Sequence, residues 1–182
     1  MSLFMFRAGC CQPLSCERFR STTSIHTKNK MSIVIRDAEK SDLNEIAELF
    51  DLYRQFYDQK ADRVLALDFI TQRFNNAESV ILVAHSDQLG FVGFCQLYPT
   101  FCSVEAKPIY VLYDLFVSPI SRRLGAGRLL LKAAETKAIA EGKARMDLTT
   151  AKTNVAAQSL YQSLGWVRDE VFFAYNRHIE FK

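Results

Sequence analysis

The apolar positions of the chain change their spacing several times after residue 31. The run 32–37 (SIVIRD) is typical of a short strand. The next segment has apolar residues at helical spacing, and Ser41 with acidic residues close behind it predicts the start of a helix reaching about residue 58. These apolar positions are Leu43, Ile46, Leu49, Phe50, Tyr53 and Phe56. A second helix is predicted around 66–75.

The middle of the chain predicts strands joined by short turns. The runs 79–85 and 91–98 are strand-like, and the turn residues 86–90 separate them. A further strand is predicted to start near Cys102. The long β-branched and aromatic run 108–117 predicts a strand that ends before Pro119.

The C-terminal half alternates helices with strands. We predict a helix from Gly125 to about Glu141, a strand at 145–150, a helix at 154–164 and a last strand at 170–179. Helices between strands favour parallel pairing in this half, whereas 79–117 is typical of an antiparallel meander. The expected fold class is therefore α/β, with a mixed, mostly antiparallel sheet of six to seven strands and flanking helices.

The first thirty residues differ in composition from the rest. They carry seven Ser or Thr residues and five basic residues against one acid, and Met31 follows them. This composition is typical of an organelle transit peptide, and equally of a disordered tail or of sequence upstream of a true start at Met31. We expect the folded domain to span 31–182, with 1–30 outside it.

Composition excludes several function classes. No run reaches the roughly 18 apolar residues of a membrane span, so no membrane partner is expected. The formal charge of +3 is concentrated in residues 1–30, which leaves the domain at −1 and makes nucleic-acid binding a poor hypothesis. The five cysteines show no metal-ligand spacing, so we expect no metal and a reduced, cytoplasmic protein, unless residues 1–30 direct import into an organelle.

The turn 118–128 carries the strongest chemical signal. Gly125 and Gly127 open a predicted helix, and three arginines surround that start: Arg122, Arg123 and Arg128. A helix start has unpaired N–H groups and partial positive charge, and glycines let an anion approach them. The turn predicts a phosphate or diphosphate site, although a surface turn with solvated arginines gives the same pattern.

Two common phosphate motifs do not fit this turn. A P-loop requires Gly-Lys-Ser/Thr at its end, and neither the lysine nor the hydroxyl is present. A dinucleotide fingerprint requires a third glycine at position 130, which is Leu130. An enzyme acting on nucleotide phosphates, which would prefer ATP or NAD to coenzyme A, is therefore a poor hypothesis.

Two motifs together resemble a known family. Residues 122–127 (RRLGAG) are similar to the Arg/Gln-x-x-Gly-x-Gly/Ala signature of the GCN5-related N-acetyltransferases (GNAT), and Asn154 with the 160–166 ending is similar to that family's second block. The resemblance covers residues 32 to about 178 and is greatest for the diamine/polyamine- and histone-acetylating branch. It implies the GNAT fold, in which a central pair of parallel strands splays to bind acetyl-CoA.

The resemblance implies a role for each matching residue. Backbone groups of Leu115, Phe116 and Val117 would pair with the pantetheine arm, and Tyr161 would be the general acid that protonates the CoA thiolate. Asn154 would contact the cofactor or a bound water. The diphosphate would be held by Arg122, Arg123, Leu124, Gly125, Ala126, Gly127 and Arg128.

The general base is less well indicated. Polyamine acetyltransferases of the family often have Glu-Asp where this chain has Tyr113-Asp114, so only Asp114 is a candidate. Nine acids against four bases in 37–68, part of the expected acceptor wall, favour a cationic amine, although a solvated helix face has the same composition.

These observations predict direct transfer of acetyl from acetyl-CoA to a primary amine, either a small cationic amine or a peptide lysine. A non-catalytic acyl-CoA sensor is the alternative, because the family's Glu is absent. The predicted last strand carries Phe172, Phe173 and Tyr175 and could pair across a homodimer interface.

Overall fold

The structure is a computed structural model that describes residues 32–179. The predictions made for residues 1–30 lie outside this range.

The sheet has five strands in the order of the chain. The first four pair as antiparallel neighbours and the last two pair in parallel, which confirms the predicted α/β fold with a mixed, mostly antiparallel sheet. The strands are β1 (Ile33–Asp37), β2 (Val80–Ser86), β3 (Gly90–Cys102), β4 (Lys107–Val117) and β5 (Met146–Leu148).

Four α-helices flank the sheet at the positions that the apolar spacing predicts. They are α1 (Leu43–Phe56), α2 (Arg63–Asn75), α3 (Ala126–Ala140) and α4 (Val155–Gln162). A 3-10 turn at Lys40–Asp42 precedes α1, and a capping box between Glu39 and Asp42 closes it, so Ser41 does not act as the predicted cap.

The helices pack on both faces of the sheet. Helix α3 buries Leu130, Leu131 and Ala134 against one face, next to Leu97 and Leu112 of the strands. Helices α1 and α2 cover the other face, where a second apolar cluster contains Ile46, Phe50, Ile70, Phe94 and Phe116. The result is a three-layer arrangement with the sheet in the middle.

The strand count is lower than predicted, because 170–179 forms no strand in the described part of the chain. Its alternating aromatic residues gave the strand signal, but a strand also requires a hydrogen-bonding neighbour. The large side chains of the segment are instead exposed. These are Val171, Phe172, Phe173, Tyr175 and Ile179.

The parallel pair is short, which leaves half of β4 with one neighbour. Strand β5 pairs only with Tyr110–Leu112, whereas β4 continues to Val117 alongside β3. The splayed central pair is therefore present, and the edge of β4 that faces away from β3 is open beyond Leu112.

A β-bulge at Tyr113 sets the direction of the side chains that follow. Gln96 of β3 lies opposite Asp114 and Leu97 lies opposite Leu112, so Tyr113 has no partner across the ladder. One extra residue reverses the inside–outside alternation of a strand. Asp114 consequently lies on the α1/α2 face, together with Phe116, and not on the face that carries Leu112.

Gly93 of β3 allows β3 and β4 to approach closely, which leads to a stability prediction. A Cβ atom at position 93 would lie 2.6 Å from the backbone oxygen of Phe116. We expect Gly93→Ala to lower the free energy of unfolding by about 1–3 kcal/mol, because a backbone atom must move. Urea denaturation measures this loss. Thr100→Ala, on the exposed end of β3, is the control, with a change of about 0.5 kcal/mol or less, and equal losses in the two variants would contradict the prediction.

Candidate active site

A cleft of about 630 Å³ opens where β4 loses its neighbour. Its walls are the free edge of β4, the turn before α3, one face of α4 and two tyrosines at the C-terminal end of α1. Most of the residues singled out from the sequence line it, namely Leu115, Phe116, Val117, Arg122, Arg123, Gly125, Ala126, Gly127, Arg128, Asn154 and Tyr161. Leu124 and Asp114 do not line it.

The turn before α3 forms a floor of free backbone N–H groups. Arg123 and Gly125 have left-handed φ angles of 65° and 90°. This alternation points successive amides to the same side, a concavity known to bind anions. Within residues 32–179, no amide from Arg123 to Arg128 donates a hydrogen bond to the protein. Five of these six residues line the cleft, all except Leu124, so their amides are the donors available to a ligand.

Gly127 permits this floor to lie close to the inner wall of the cleft. A Cβ atom at position 127 would lie 3.3 Å from Leu160 Cδ2 and 3.7 Å from Val117 Cγ2. Any larger residue would thus fill the space between the start of α3 and the cleft wall.

Ser121 is a lining residue that the sequence reasoning missed. Its side chain is buried, and its Oγ has no hydrogen-bond partner among the described residues. A buried polar atom without a partner is rare unless a ligand or water satisfies it. Its position directly before the arginines was the available signal. The unpaired hydroxyl, the free amides and the missing Cβ at position 127 all fit a diphosphate.

The arginines are placed around the floor. Arg122 Nε donates to Val117 O at 3.4 Å, and Arg128 Nη2 donates to Ser163 Oγ at 2.6 Å at the end of α4. Arg122 and Arg123 are exposed and line the cleft, so their charges face the space above the free amides.

Asn154 and Tyr161 line the same side of the cleft. Asn154 caps α4, because its Oδ1 accepts from Ala157 N at 3.3 Å and its Nδ2 donates to Thr150 Oγ1 at 3.4 Å. Burial raises the pKa of Tyr161, and the nearby Tyr57 adds to the shift. Tyr161 is therefore a protonated phenol at neutral pH, which can donate its proton.

Tyr53 of α1 and Tyr57, directly after the helix, also line the cleft, and the sequence reasoning missed both as site residues. The Tyr53 hydroxyl donates to Tyr113 O at the bulge, at 3.2 Å. Burial raises the pKa of Tyr53, and the Asp114 carboxylate raises it further. Helical spacing placed Tyr53 correctly on the core-facing side of α1, but nothing in the sequence showed that its hydroxyl reaches β4.

Asp114 lies behind the bulge, in a second cavity of about 260 Å³. The other lining residues are Phe50, Phe69, Tyr98 and Tyr113. Burial raises the pKa of Asp114 from 3.8 to about 6, although the Tyr53 hydroxyl opposes part of the shift. Tyr113 lines both cavities, so the pocket that holds the carboxylate adjoins the cleft.

Two further structural findings concern residues 32–179. No group of three or more His, Cys, Asp or Glu side chains in this range is arranged to hold a metal ion. No helix in the same range has the length and apolar character needed to cross a membrane.

Comparisons with known proteins agree with this geometry. Residues 43–166 match the model of the acetyltransferase (GNAT) family. An uncharacterized N-acetyltransferase of Bacillus subtilis, YhfO, is 47% identical over 141 residues, which is 78% of this chain and 94% of that protein. The crystal structure of a probable acetyltransferase superposes with a TM-score of 0.76 at 33% identity, covering 82% of this chain and 99% of the other.

A more distant structure shares the fold. The aminoglycoside N-acetyltransferase AAC(6')-Iy, solved in complex with CoA, has a TM-score of 0.69 at 19% identity and covers 82% of this chain and 97% of its own. The family match spans more than half of the sequence, and the B. subtilis relative is matched over nearly all of its length. The chain therefore belongs to the GNAT family and is an acetyltransferase.

Proposed function

We propose that this protein transfers the acetyl group of acetyl-CoA to a primary amine, by direct transfer within a ternary complex. The observation that carries the proposal is the row of six unpaired amides beside the open edge of β4. The acceptor is a small cationic amine, such as a diamine or polyamine, or the side chain of a peptide lysine.

Different residues of the cleft bind different parts of acetyl-CoA. The amides from Arg123 to Arg128, with the arginine side chains and Ser121 Oγ, hold the diphosphate. The open backbone edge of β4 at Leu115–Val117 holds the pantetheine arm as a neighbouring strand would. Acetyl-CoA supplies a thioester carbonyl, whose sulfur leaves more readily than the nitrogen of the amide product.

Tyr161 is the proposed general acid. The amine lone pair forms a bond to the acetyl carbon, the C–S bond breaks, and the departing thiolate takes the proton of the Tyr161 hydroxyl. The second proton that the nitrogen loses as the amide forms then restores the Tyr161 hydroxyl. The position of Tyr161 in the cleft and its raised pKa support this role.

Asp114 is the proposed final acceptor of the amine proton. A primary ammonium with a pKa near 10.4 must lose a proton before it attacks, at a cost of about 4.6 kcal/mol at pH 7. Tyr53 lines the cleft, and its hydroxyl is close enough to lower the pKa of Asp114, so it can relay a proton by turning from Tyr113 O to the carboxylate. The Asp114 pKa of about 6 leaves the carboxylate mostly ionised at neutral pH.

Direct transfer is favoured over an acyl-cysteine intermediate. Cys95 is fully buried on the α3 face of the sheet, and burial raises the pKa of its thiol to about 12. A thiol needs its thiolate form to act as a nucleophile. Cys102 lies at the far end of β3 and does not line the cleft.

The acidic segment 37–68 supports a cationic acceptor less strongly than its composition suggests. Four of its nine acids form ion pairs within the domain, namely Asp37 with Lys137, Asp42 with Arg36, Glu48 with Arg63 and Asp51 with Arg54. Asp114, outside that segment, provides better support because it is buried and makes no salt bridge to a described residue.

A homodimer through the 170–179 segment and a cytoplasmic location stay predictions. The exposed aromatic side chains of that segment support the first, because large apolar patches usually mark contact surfaces.

The diphosphate site can be tested with two ligands. We expect CoA to bind far more tightly than pantetheine, which lacks the diphosphate. Arg122→Ala should weaken CoA about tenfold and leave pantetheine unchanged, because it removes a charge-assisted contact to phosphate. Calorimetry measures both affinities. Arg168→Ala, an exposed arginine outside the cleft, is the control, and equal weakening of both ligands by Arg122→Ala would contradict the assignment.

The reaction can be tested with acetyl-CoA and a panel of polyamines, amino acids, aminoglycosides and lysine peptides, by measuring release of free CoA. We expect turnover with at least one cationic amine. Tyr161→Phe should lower kcat roughly 10²- to 10⁴-fold with CoA affinity kept, because only the transferred proton is lost. Tyr175→Phe, an exposed tyrosine outside the cleft, should have no effect. Tight CoA binding without turnover on any amine would instead indicate the acyl-CoA sensor.

The base can be tested by pH dependence. A base acts when it is deprotonated, so kcat/KM of the wild type should rise with an inflection at about pH 6 as Asp114 ionises. Asp114→Asn should remove this inflection and lower the plateau by about 10²-fold or more. Asp87→Asn, an exposed carboxylate, is the matched control. An unchanged inflection in Asp114→Asn would assign the base to another group.

A further inference from the structure

We propose that the cavity behind Tyr113 is the acceptor subsite and that it binds the ammonium group of a small alkylamine. The cavity is called the aromatic pocket below and is lined by Phe50, Phe69, Tyr98, Tyr113 and Asp114. The inference rests on the proposed acetyl transfer and names the class of its acceptor.

The fold aims a carboxylate into this pocket. Without the bulge at Tyr113, Asp114 would share the α3 face with Leu112, whereas the bulge turns it towards α1 and α2. Its residue is only 6% exposed, yet no arginine, lysine or histidine of the described chain forms an ion pair with it. A buried carboxylate without a cation calls for one from outside the protein.

A second acceptor atom lies beside the carboxylate. Gln96 is directly opposite Asp114 in the β3–β4 ladder, so both side chains are on the same face. Gln96 is fully buried, its Nε2 donates to Ser79 Oγ at 2.6 Å, and its Oε1 has no partner among residues 32–179. Gln96 does not line the pocket itself, so the Asp114 carboxylate is the charged acceptor that the pocket presents, with the Tyr98 and Tyr113 hydroxyls as its other polar groups. A carboxylate acceptor is complementary to an ammonium with three N–H groups.

The aromatic rings suit a cation. Tyr98 and Tyr113 meet edge to face with their centroids 5.6 Å apart. Phe69 is stacked on Phe50, and the Arg73 guanidinium lies 4.8 Å from the Phe69 centroid. Arg73 is itself paired with Glu78, so it does not neutralise Asp114. The two tyrosines are therefore the rings left for a ligand, and a cation over an aromatic face is attracted by its π electrons.

The size and lining of the pocket restrict the rest of the acceptor. About 260 Å³ accommodates a short alkyl chain or a single ring. Apart from the tyrosine hydroxyls, Asp114 is the only polar side chain in the lining, so the hydroxyl groups of an amino sugar would be buried without partners. An alkylamine has no such groups. The pocket therefore favours alkylamines over amino sugars, although the fold is shared with an aminoglycoside acetyltransferase.

The pocket and the cleft are neighbouring cavities that share Tyr113 as a lining residue. A nitrogen held over Asp114 is therefore next to the cleft that is assigned to the thioester. The ammonium gives its proton to Asp114, directly or through the Tyr53 hydroxyl, and the neutral nitrogen then attacks the acetyl carbon. The same carboxylate therefore binds the cation first and takes its proton afterwards.

Binding can be measured without reaction, on the protein saturated with CoA. The probes are 1-aminobutane, which is protonated at neutral pH, and 1-butanol, its neutral match, and calorimetry gives both affinities. We expect butylammonium to bind at least tenfold more tightly than butanol in the wild type. Asp114→Asn should remove this preference. Asp68→Asn, an exposed carboxylate on α2 next to Phe69, should keep it.

The aromatic contribution has its own matched pair of variants. Tyr113 is 68% exposed, so its replacement leaves the core intact. We expect Tyr113→Phe to keep the affinity for butylammonium within twofold, because the ring remains. Tyr113→Leu should weaken it about fivefold, because the ring is lost. Equal effects of the two variants would overturn the aromatic part of the proposal. If Asp114→Asn fails to fold in a thermal melt, this pair decides the question.

The acceptor class is tested with cyclohexylamine and glucosamine, two primary amines on rings of equal size. With acetyl-CoA, kcat/KM should be at least 100-fold higher for cyclohexylamine. If amines are acetylated but glucosamine is used equally well and Asp114→Asn leaves the butylammonium preference intact, the subsite is wrong and the acetyl transfer stands. If no amine is acetylated while butylammonium binds as expected, the acetyl transfer fails and the cation site stands.

Discussion

The structure depends on one feature of backbone pairing, the loss of a neighbour by β4 beyond Leu112. A strand inside a sheet normally satisfies both of its edges, and an open edge in the middle of a domain is a place where another extended chain can bind. Here the open edge leads directly into the free amides at the start of α3. An extended molecule with a diphosphate at one end fits this sequence of groups, because strand-like pairing and anion binding follow one another along the same stretch of backbone.

The bulge at Tyr113 turns Asp114 into the aromatic pocket, and burying this carboxylate lowers the stability of the fold. A pKa shift of Asp114 from 3.8 to about 6 corresponds to about 3 kcal/mol of unfavourable burial when the carboxylate is ionised. Because the folded pKa is raised, this cost is absent below about pH 4 and complete above about pH 6. Such a cost is expected at a functional site and not in a plain core, where an apolar residue would pack equally well. The aromatic lining keeps the carboxylate out of water and so maintains its raised pKa.

The sequence predicted the positions of most helices and strands well, but it predicted less well which strands pair and which side chains meet. Apolar spacing placed β4 and α3 within one residue of their bounds, because both are long and bury one clear face. It predicted a strand at 170–179 for the same reason, although side-chain spacing carries no information about a hydrogen-bonding neighbour. The glycine–arginine turn was found because its residue types act through local backbone geometry. Ser121, Tyr53 and the orientation of Asp114 were missed because they depend on contacts between distant segments and on a one-residue bulge.

The bulge also explains how this chain keeps a candidate base although it lacks the Glu that is typical of the polyamine branch. The residue at that position is Tyr113, which has no cross-strand partner and is mostly exposed, so it can serve as a wall shared by two cavities. A carboxylate there would be solvated and would keep a low pKa, whereas Asp114 one residue later is buried and has a pKa close to neutrality. In the proposed mechanism, an aromatic residue at the bulge followed by a buried acid combines binding of a cation with removal of its proton. In that mechanism the two substrates occupy two cavities that share Tyr113, with the free amides at the start of α3 for the anion and Asp114 for the cation.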